Sequence, residues 1–263
     1  MTLYLHELKM NRLSFLVWLL SVAAMCCGCI FLFPLMEDSM ADMSDAFASM
    51  GGFSAAFGMD RLAITTLEGF FGTEIGTIFA LGGGMYAALL GIGMLSKEES
   101  GHTAEFLHTL TLDRTEIVTS KLLAVLTYLT LFDVICFATF VGSAAAIGQN
   151  MNMTSLTGYL LAQYLCQLEI AAVCFALSAA FRRSGMGLGL GIALVLYVLD
   201  IISRITEQIS FLKYITPFYY SNATDIFVNE GKIEPVLAII GAVIMVIGVA
   251  AAYKVYNERD IAA

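Results

Sequence analysis

The chain has 263 residues, of which 59% are hydrophobic and only 13% are charged. A soluble domain carries about a quarter charged residues and cannot bury so much apolar surface in one core. These proportions exclude an ordinary soluble domain, and the alternating segments of a membrane barrel are missing. The chain is therefore expected to be an all-α membrane protein. Its formal net charge of −9 disfavours nucleic acid as a partner.

Six apolar stretches are long enough to cross the hydrocarbon core of a bilayer as helices, which takes about 20 residues each. They predict one transmembrane domain over residues 1–263, with spans at residues 13–36, 75–95, 122–148, 159–181, 186–205 and 233–253. Residues 1–12 set leucines beside Glu7, Lys9 and Arg12. This pattern is typical of an interfacial helix on the membrane surface, and a solvated terminus is the alternative.

The basic residues indicate the orientation of the chain. Nine of them lie before the first predicted span, after the sixth, or in the loops between spans two and three and between spans four and five. The opposite loops contain three. Because positively charged loops stay in the cytoplasm, both termini are expected there. Residues 37–74 and 206–232 are then extracytoplasmic loops, and a bacterial plasma membrane is the expected location.

Glycine clusters inside the second and fifth predicted spans favour close packing of helices. Their members are Gly82, Gly83, Gly84, Gly91, Gly93, Gly187, Gly189 and Gly191. None of these clusters has the spacing of a dinucleotide-binding motif, and no P-loop sequence occurs. The chain is therefore expected not to be an enzyme, and to bind no metal or cofactor of its own.

Four ionisable side chains lie inside the predicted spans: Asp133, Glu169, Asp200 and Arg204. A charge at the centre of a bilayer costs roughly 3 kcal/mol or more, so such side chains face the interior of a helix bundle. Asp200 and Arg204 are four residues apart in span five. That spacing predicts a structural ion pair on one helix face.

Asp133 and Glu169 lie near the middle of spans three and four, and Gln163 and Gln167 precede Glu169. Two interpretations of these four side chains remain open. They hold helices together through hydrogen bonds, or they line a translocation path for a cationic or amphipathic substrate.

A polar segment, residues 96–121, separates spans two and three. It contains an apolar set consisting of Phe106, Leu107, Leu110 and Leu112. It also contains a charged set consisting of Glu98, Glu99, Glu105 and Arg114. An apolar helix face with charges at its rim is typical of a helix that docks onto a soluble partner. A solvated charged face is the alternative for the three glutamates.

The segment resembles the one that follows the second span in permease subunits of the type-2 ABC exporter family. Family members carry the pattern E-E-x-x-G-T-x-E-x-L-L-x-x-P-[VIL]-S-R-x-x-[IV]-x-x-[GS]-K. Matching residues are Glu98, Glu99, Gly101, Thr103 shifted by one, Glu105, Leu107, Leu112, Arg114, Ile117, Ser120 and Lys121. The departures are the inserted His102, and Thr111 and Asp113 in place of Pro and Ser. Residues 214–219 and 253–261 match the family's Pro-Phe loop element and its aromatic–Arg-Asp ending.

The resemblance implies an exporter permease with six transmembrane helices, an N-terminal interfacial helix and a cytoplasmic coupling helix within residues 96–121. Such permeases pair as homodimers or heterodimers in the lipid bilayer. They sit on two copies of a separate ABC ATPase subunit, which binds ATP and Mg²⁺. The implied ATPase-coupling residues are Glu98, Glu99, Gly101, Thr103, Glu105, Phe106, Leu107, Arg114 and Lys121.

Two other functions remain as alternatives. One is a non-transporting membrane protein for immunity, sensing or assembly. The other is a secondary transporter driven by an ion gradient. The fold does not indicate whether the substrate is a peptide, a drug, a lipid or an ion.

Overall fold

The computed structural model describes residues 2–101, 113–181, 185–205 and 207–259. Within these ranges the chain is helical and contains no strand. Six helices are long and apolar enough to cross a membrane, which confirms the predicted fold class and the predicted number of spans. They are α1 (Thr2–Ala48), α2 (Leu67–Met94), α3 (Arg114–Ala146), α4 (Met153–Ala180), α5 (Met186–Ile205) and α6 (Pro235–Glu258).

Several of these helices extend beyond the predicted spans. α1 runs without a break from Thr2 to Ala48 and includes Gly28 and Pro34. No Gly or Pro separates residues 2–12 from the predicted first span, so nothing ends the helix between them. Residues 2–12 and 13–36 therefore share one helix, and the interfacial position of residues 1–12 stays a prediction. α3 begins at Arg114, so the end of the predicted coupling segment forms the first turns of this helix.

Short helices connect the long ones. Residues 52–57 form a helix between Gly51 and Gly58, whose φ angles of 59° and 71° lie in the left-handed region that only glycine adopts readily. α2 consists of an α-helical turn, a π-helical turn and a regular α-helix: Leu67–Phe70, Phe71–Ile75 and Gly76–Met94. Between α5 and α6 lie Glu207–Tyr214, a 3₁₀ helix, and the short α-helices Pro217–Tyr220 and Ala223–Val228.

α2 and α4 form the centre of the bundle. α4 packs against α2 and α6, α2 also packs against α1 and α5, and α1 packs against α3. Aromatic rings fill the junction of α2, α3 and α4: Phe79 stacks on Phe132 with centroids 5.8 Å apart and meets Phe140 edge-on at 5.3 Å. The outer helices α5 and α6 leave most of their apolar surface uncovered within the chain.

Five members of the glycine clusters allow close contacts: Gly82, Gly83, Gly84, Gly91 and Gly189. An added Cβ would lie 2.7 Å from a valine of α1 at Gly82, 2.5 Å from a backbone oxygen of α4 at Gly91, and 2.8 Å from an isoleucine of α2 at Gly189. Only glycine permits these approaches. Within the described chain, three other members face open space, and no close packing is seen there: Gly93, Gly187 and Gly191.

The bundle has two ends. We call one end the segment end, because residues 96–101 and 113–121 lie there; it carries Thr2, Met94, Arg114, Ala180, Met186 and Glu258. We call the other end, with the connections 49–66, 147–152 and 207–234, the loop end. The helix termini therefore form two groups, one at each end of the bundle. Each end contains one of the two ion-pair clusters described below.

Gly158 of α4 makes a close approach to the backbone at the loop end, and replacing it should destabilise the fold. An added Cβ would lie 2.1 Å from the backbone oxygen of Gly231 and 2.7 Å from its Cα. We expect Gly158→Ala to lower the free energy of unfolding by about 1–3 kcal/mol through overpacking. Thermal unfolding in detergent measures this. Gly142→Ala in α3 is the control, because nothing lies within 4 Å of its added Cβ. Equal stability of the two variants would contradict the packing.

Candidate functional site

Both ends of residues 96–121 meet at one buried ammonium group. Lys121, in the first turns of α3, has no exposed surface. Its Nζ donates to the Met94 carbonyl oxygen at the end of α2 at 2.7 Å, and to Glu7 Oε1 of α1 at 3.0 Å. It also donates to Glu98 Oε1 in the short helix Lys97–Ser100. One side chain thus joins α1, α2, α3 and the start of the segment.

Lys97 completes this group, and we call Glu7, Lys97, Glu98 and Lys121 the Lys121 cluster. The Lys97 ammonium pairs with Glu7 Oε2, and the Glu7 side chain is 1% exposed. Burial and the nearby Lys121 ammonium lower the pKa of Lys97, while the carboxylates of Glu7 and Glu98 oppose this shift. Two carboxylates balance two ammonium groups. Because an unpaired buried charge costs several kcal/mol, each member depends on the others.

Ser178 of α4 hydrogen-bonds to the start of the segment. Its buried Oγ accepts hydrogen bonds from the backbone N–H groups of Leu95 at 2.9 Å and Ser96 at 3.0 Å. Buried backbone N–H groups outside the hydrogen-bond ladder of a helix need another acceptor. A serine from α4 supplies one here, so the end of α2 and the end of α4 are held together.

Arg114, at the other end of the segment, hydrogen-bonds to the end of α6. Its guanidinium donates to the backbone oxygens of Tyr256 at 3.3 Å, Asn257 at 3.0 Å and Arg259 at 2.7 Å. Arg259 in turn donates to the backbone oxygens of Ala179 at 2.5 Å and residue 181 at 3.1 Å. Cations at helix C-termini satisfy the last carbonyls and favour the helix dipole. The two arginines therefore link α3, α6 and α4 in sequence.

The structure places only some of the predicted coupling residues. Glu98 and Lys121 come together in the Lys121 cluster, and Arg114 reaches the end of α6. Gly101 donates its N–H to the Lys97 carbonyl at 2.9 Å, where the short helix ends. Glu99 belongs to that short helix. The other predicted coupling residues lie outside the described residues: Thr103, Glu105, Phe106 and Leu107.

The sequence interpretation missed two members of the cluster. Glu7 was expected on a helix at the membrane surface. Lys97 contributed only to the count of basic residues that indicates the orientation. The sequence spacing does indicate which way Glu7 faces. Glu7 lies about two helical turns before Phe15, on the same face of α1. That face continues through the buried Phe15, Leu19 and Val22. Glu7 therefore faces the bundle, where an acidic side chain needs a cation.

The polar side chains inside the spans find separate partners. Gln167 Nε2 donates to Asp133 Oδ1 at 3.1 Å, and the Tyr220 hydroxyl donates to Glu169 Oε2 at 3.0 Å. Gln163 Nε2 donates to a backbone oxygen in the connection between α5 and α6 at 2.8 Å. These bonds join helices, as the first interpretation expects. Gln163 and Asp133 line two different cavities, and the translocation path stays a prediction.

The Asp200 and Arg204 side chains form an ion pair of 2.9 Å in α5. Arg204 also donates to Asp225 Oδ2 at 2.6 Å and to the Tyr219 backbone oxygen at 2.9 Å. Asp225 additionally pairs with Arg61, whose side chain is half-exposed. The buried arginine thus ties α5 to the connection before α6 at the loop end, a larger network than the predicted pair.

Removing the central ammonium of the Lys121 cluster should destabilise the chain strongly. We expect Lys121→Met to lower the free energy of unfolding by about 3–5 kcal/mol, because Glu7 and Glu98 then lose a buried counter-charge. Thermal unfolding in detergent gives the difference. Lys9→Met on the exposed face of α1 is the matched control, and its effect should stay within about 0.5 kcal/mol. A Lys121→Met protein as stable as the control would contradict the buried pairing.

Comparison with known proteins completes the description of the site. A sequence model of the ABC-2 family transporter proteins matches residues 1–261. The match covers all six long helices and every member of the Lys121 cluster. No curated protein matches the chain.

Proposed function

The chain belongs to the ABC-2 transporter family, and we propose that it is the membrane permease of an ATP-driven exporter. Membrane proteins of this family generally work with ATPase partners. The sequence contains no P-loop, so ATP and Mg²⁺ would be bound by a separate ATPase subunit. Two copies of that subunit would serve two permease chains, either identical or different. The charge distribution supports a plasma-membrane protein with both termini in the cytoplasm.

The Lys121 cluster is the observation that carries this proposal. It fixes both ends of residues 96–121 to the bundle through Lys121 and Glu7, whose side chains are 0% and 1% exposed. Moving the start of the segment away from α1 would separate Lys97 from Glu7. Moving it away from α3 would separate Glu98 from Lys121. An unpaired buried charge costs several kcal/mol of free energy. Because of this cost, a displacement of the segment would move the helices with it.

The remaining contacts of the segment extend this connection. Ser178 bonds the beginning of the segment to α4, and Arg114 bonds its end to α6. Together with the Lys121 cluster, these contacts reach α1, α2, α3, α4 and α6. A soluble subunit that pushes or pulls residues 96–121 would therefore act on five of the six spans at once.

The middle of the segment would provide the docking surface. Phe106 and Leu107 offer apolar side chains for a groove on the ATPase, and Glu105 offers a rim charge. Glu99, Gly101 and Thr103 belong to the same proposed coupling helix. When the ATPase pair closes on ATP, the helix would follow the groove. The Lys121 cluster would then pass the displacement to the spans, where Asp133, Gln163, Gln167 and Glu169 are the proposed polar groups of the path.

The test is recovery of the ATPase with the tagged chain, purified from native membranes in mild detergent. We expect an ATP-hydrolysing subunit to copurify. Replacing Phe106 and Leu107 together by Ala should reduce its recovery at least about tenfold, because two apolar anchors of about 1–2 kcal/mol each are lost. Glu230→Arg, an exposed change at the loop end, is the control and should recover the subunit fully.

Two results would refute the proposal. One is the absence of any ATP-hydrolysing subunit in the purified material. The other is a double variant that retains the subunit as well as the control does, which would show that the ATPase does not dock on residues 96–121.

A further inference from the structure

The cavity lined by Gln163 lies between α2, α4 and α5 and has a volume of about 20 Å³. The connection between α5 and α6 and Phe57 of the helix at residues 52–57 complete its wall. A cavity needs roughly 10–15 Å³ and two to four polar partners to hold a water molecule. The volume therefore fits one water molecule and excludes a larger ligand.

Three polar side chains reach this cavity from two helices: Thr77 of α2, and Tyr197 and Asp200 of α5. The Tyr197 hydroxyl lies near both Thr77 and Asp200. Asp200 is 3% exposed, and within the described chain its carboxylate accepts a hydrogen bond at Oδ1, from Arg204 at 2.9 Å. A buried carboxylate is costly unless its oxygens are hydrogen-bonded, so Oδ2 requires a donor.

The hydroxyl groups of the cavity are suited to bind water rather than to replace it. Thr77 donates its hydrogen to the Thr73 carbonyl oxygen at 2.7 Å, so towards the cavity its oxygen acts as an acceptor. The Tyr197 hydroxyl can donate or accept. Together with Asp200, these groups offer two acceptors and one donor. A water molecule, which has two hydrogens and two lone pairs, satisfies all three.

The charges beside the cavity favour a neutral ligand over a cation. Asp200 and Asp225 carry two negative charges, and Arg204 and Arg61 balance them through three ion pairs. A metal or ammonium ion at Asp200 would lie beside the guanidinium that already pairs with this carboxylate. Like charges so close together repel each other strongly in a buried site. Water adds hydrogen-bond donors without adding charge.

We propose that this cavity holds one ordered water molecule that joins α5 to α2. The water donates to Asp200 Oδ2 and Thr77 Oγ1 and accepts from the Tyr197 hydroxyl. α5 then contacts α2 in two ways. The contact is direct at Gly189, where an added Cβ would lie 2.8 Å from an isoleucine of α2, and it runs through the water nearer the loop end.

Radiolytic footprinting of the chain alone in nanodiscs tests for the water, and its outcome does not depend on an ATPase or on transport. X-rays turn bound water into hydroxyl radicals in place, and these oxidise the nearest aromatic side chains. Phe218 lines the cavity and is only 2% exposed, whereas Phe79 of α2 is 0% exposed and is not part of the lining. Mass spectrometry should show Phe218 oxidised at least about fivefold faster than Phe79.

Two variants test whether the water lies in this cavity. Ala80→Val adds two methyl groups to the cavity wall, and it should slow oxidation of Phe218 to the rate of Phe79. Thr77→Val removes one partner of the water and should slow oxidation of Phe218 at least about threefold. Thr139→Val in α3 is the matched control, because Thr139 also donates to a backbone oxygen of its own helix but does not line the cavity. It should leave the rate unchanged.

Three outcomes would overturn the proposal. The first is equally slow oxidation of Phe218 and Phe79, which would show a dry cavity. The second is fast oxidation of Phe218 that persists in both Ala80→Val and Thr77→Val. The third is a bound cation. In that case the melting temperature would rise when NaCl or KCl replaces choline chloride at equal ionic strength, and Asp200→Asn would abolish this rise.

Discussion

Lys121 carries a positive charge at a position that neither water nor lipid reaches. Its ammonium is stable there because three oxygen atoms surround it, from Glu7, Met94 and Glu98. Each of those atoms belongs to a different part of the chain. The requirement that a buried charge be paired therefore decides how α1, α2 and α3 meet at the segment end. It also fixes the positions of Glu98 and Lys121, which lie near the two ends of residues 96–121.

The two ends of the bundle use the same principle. At the loop end, Arg204 is held by Asp200, Asp225 and a backbone oxygen, and it joins α5 to the connection before α6. Between the two ends the contacts are apolar or involve single hydrogen bonds. Membrane helices gain no hydrophobic energy by leaving lipid for one another, so close contacts and polar pairs must supply the specificity. Asp133 differs, since its buried Oδ2 has no hydrogen-bond partner among the described residues.

The sequence predicted the architecture well, because apolar stretches of membrane length have few alternatives to a spanning helix. It predicted the helix ends poorly. Residues 114–121 and 37–48 are polar enough to read as loops, yet no Gly or Pro stops the helix in either stretch. Glu98 and Lys121 could be identified through resemblance to a family motif. The spacing of Glu7 to Phe15 indicates that Glu7 faces the bundle, but its pairing with Lys97 and Lys121 arises only when α1 packs on α3. The hydrogen bonds from Arg114 to the end of α6 likewise depend on tertiary packing.

The central claim is that Glu7 and Lys121 stabilise the bundle as a pair, so that the segment cannot move without the helices. A double-mutant cycle on the free energy of unfolding tests this directly, with Glu7→Gln, Lys121→Met and the double variant in one detergent. The account predicts that the double variant is more stable than the sum of the single changes implies, with a coupling energy of about 1.5–3 kcal/mol. Single effects that add within about 0.5 kcal/mol would contradict it.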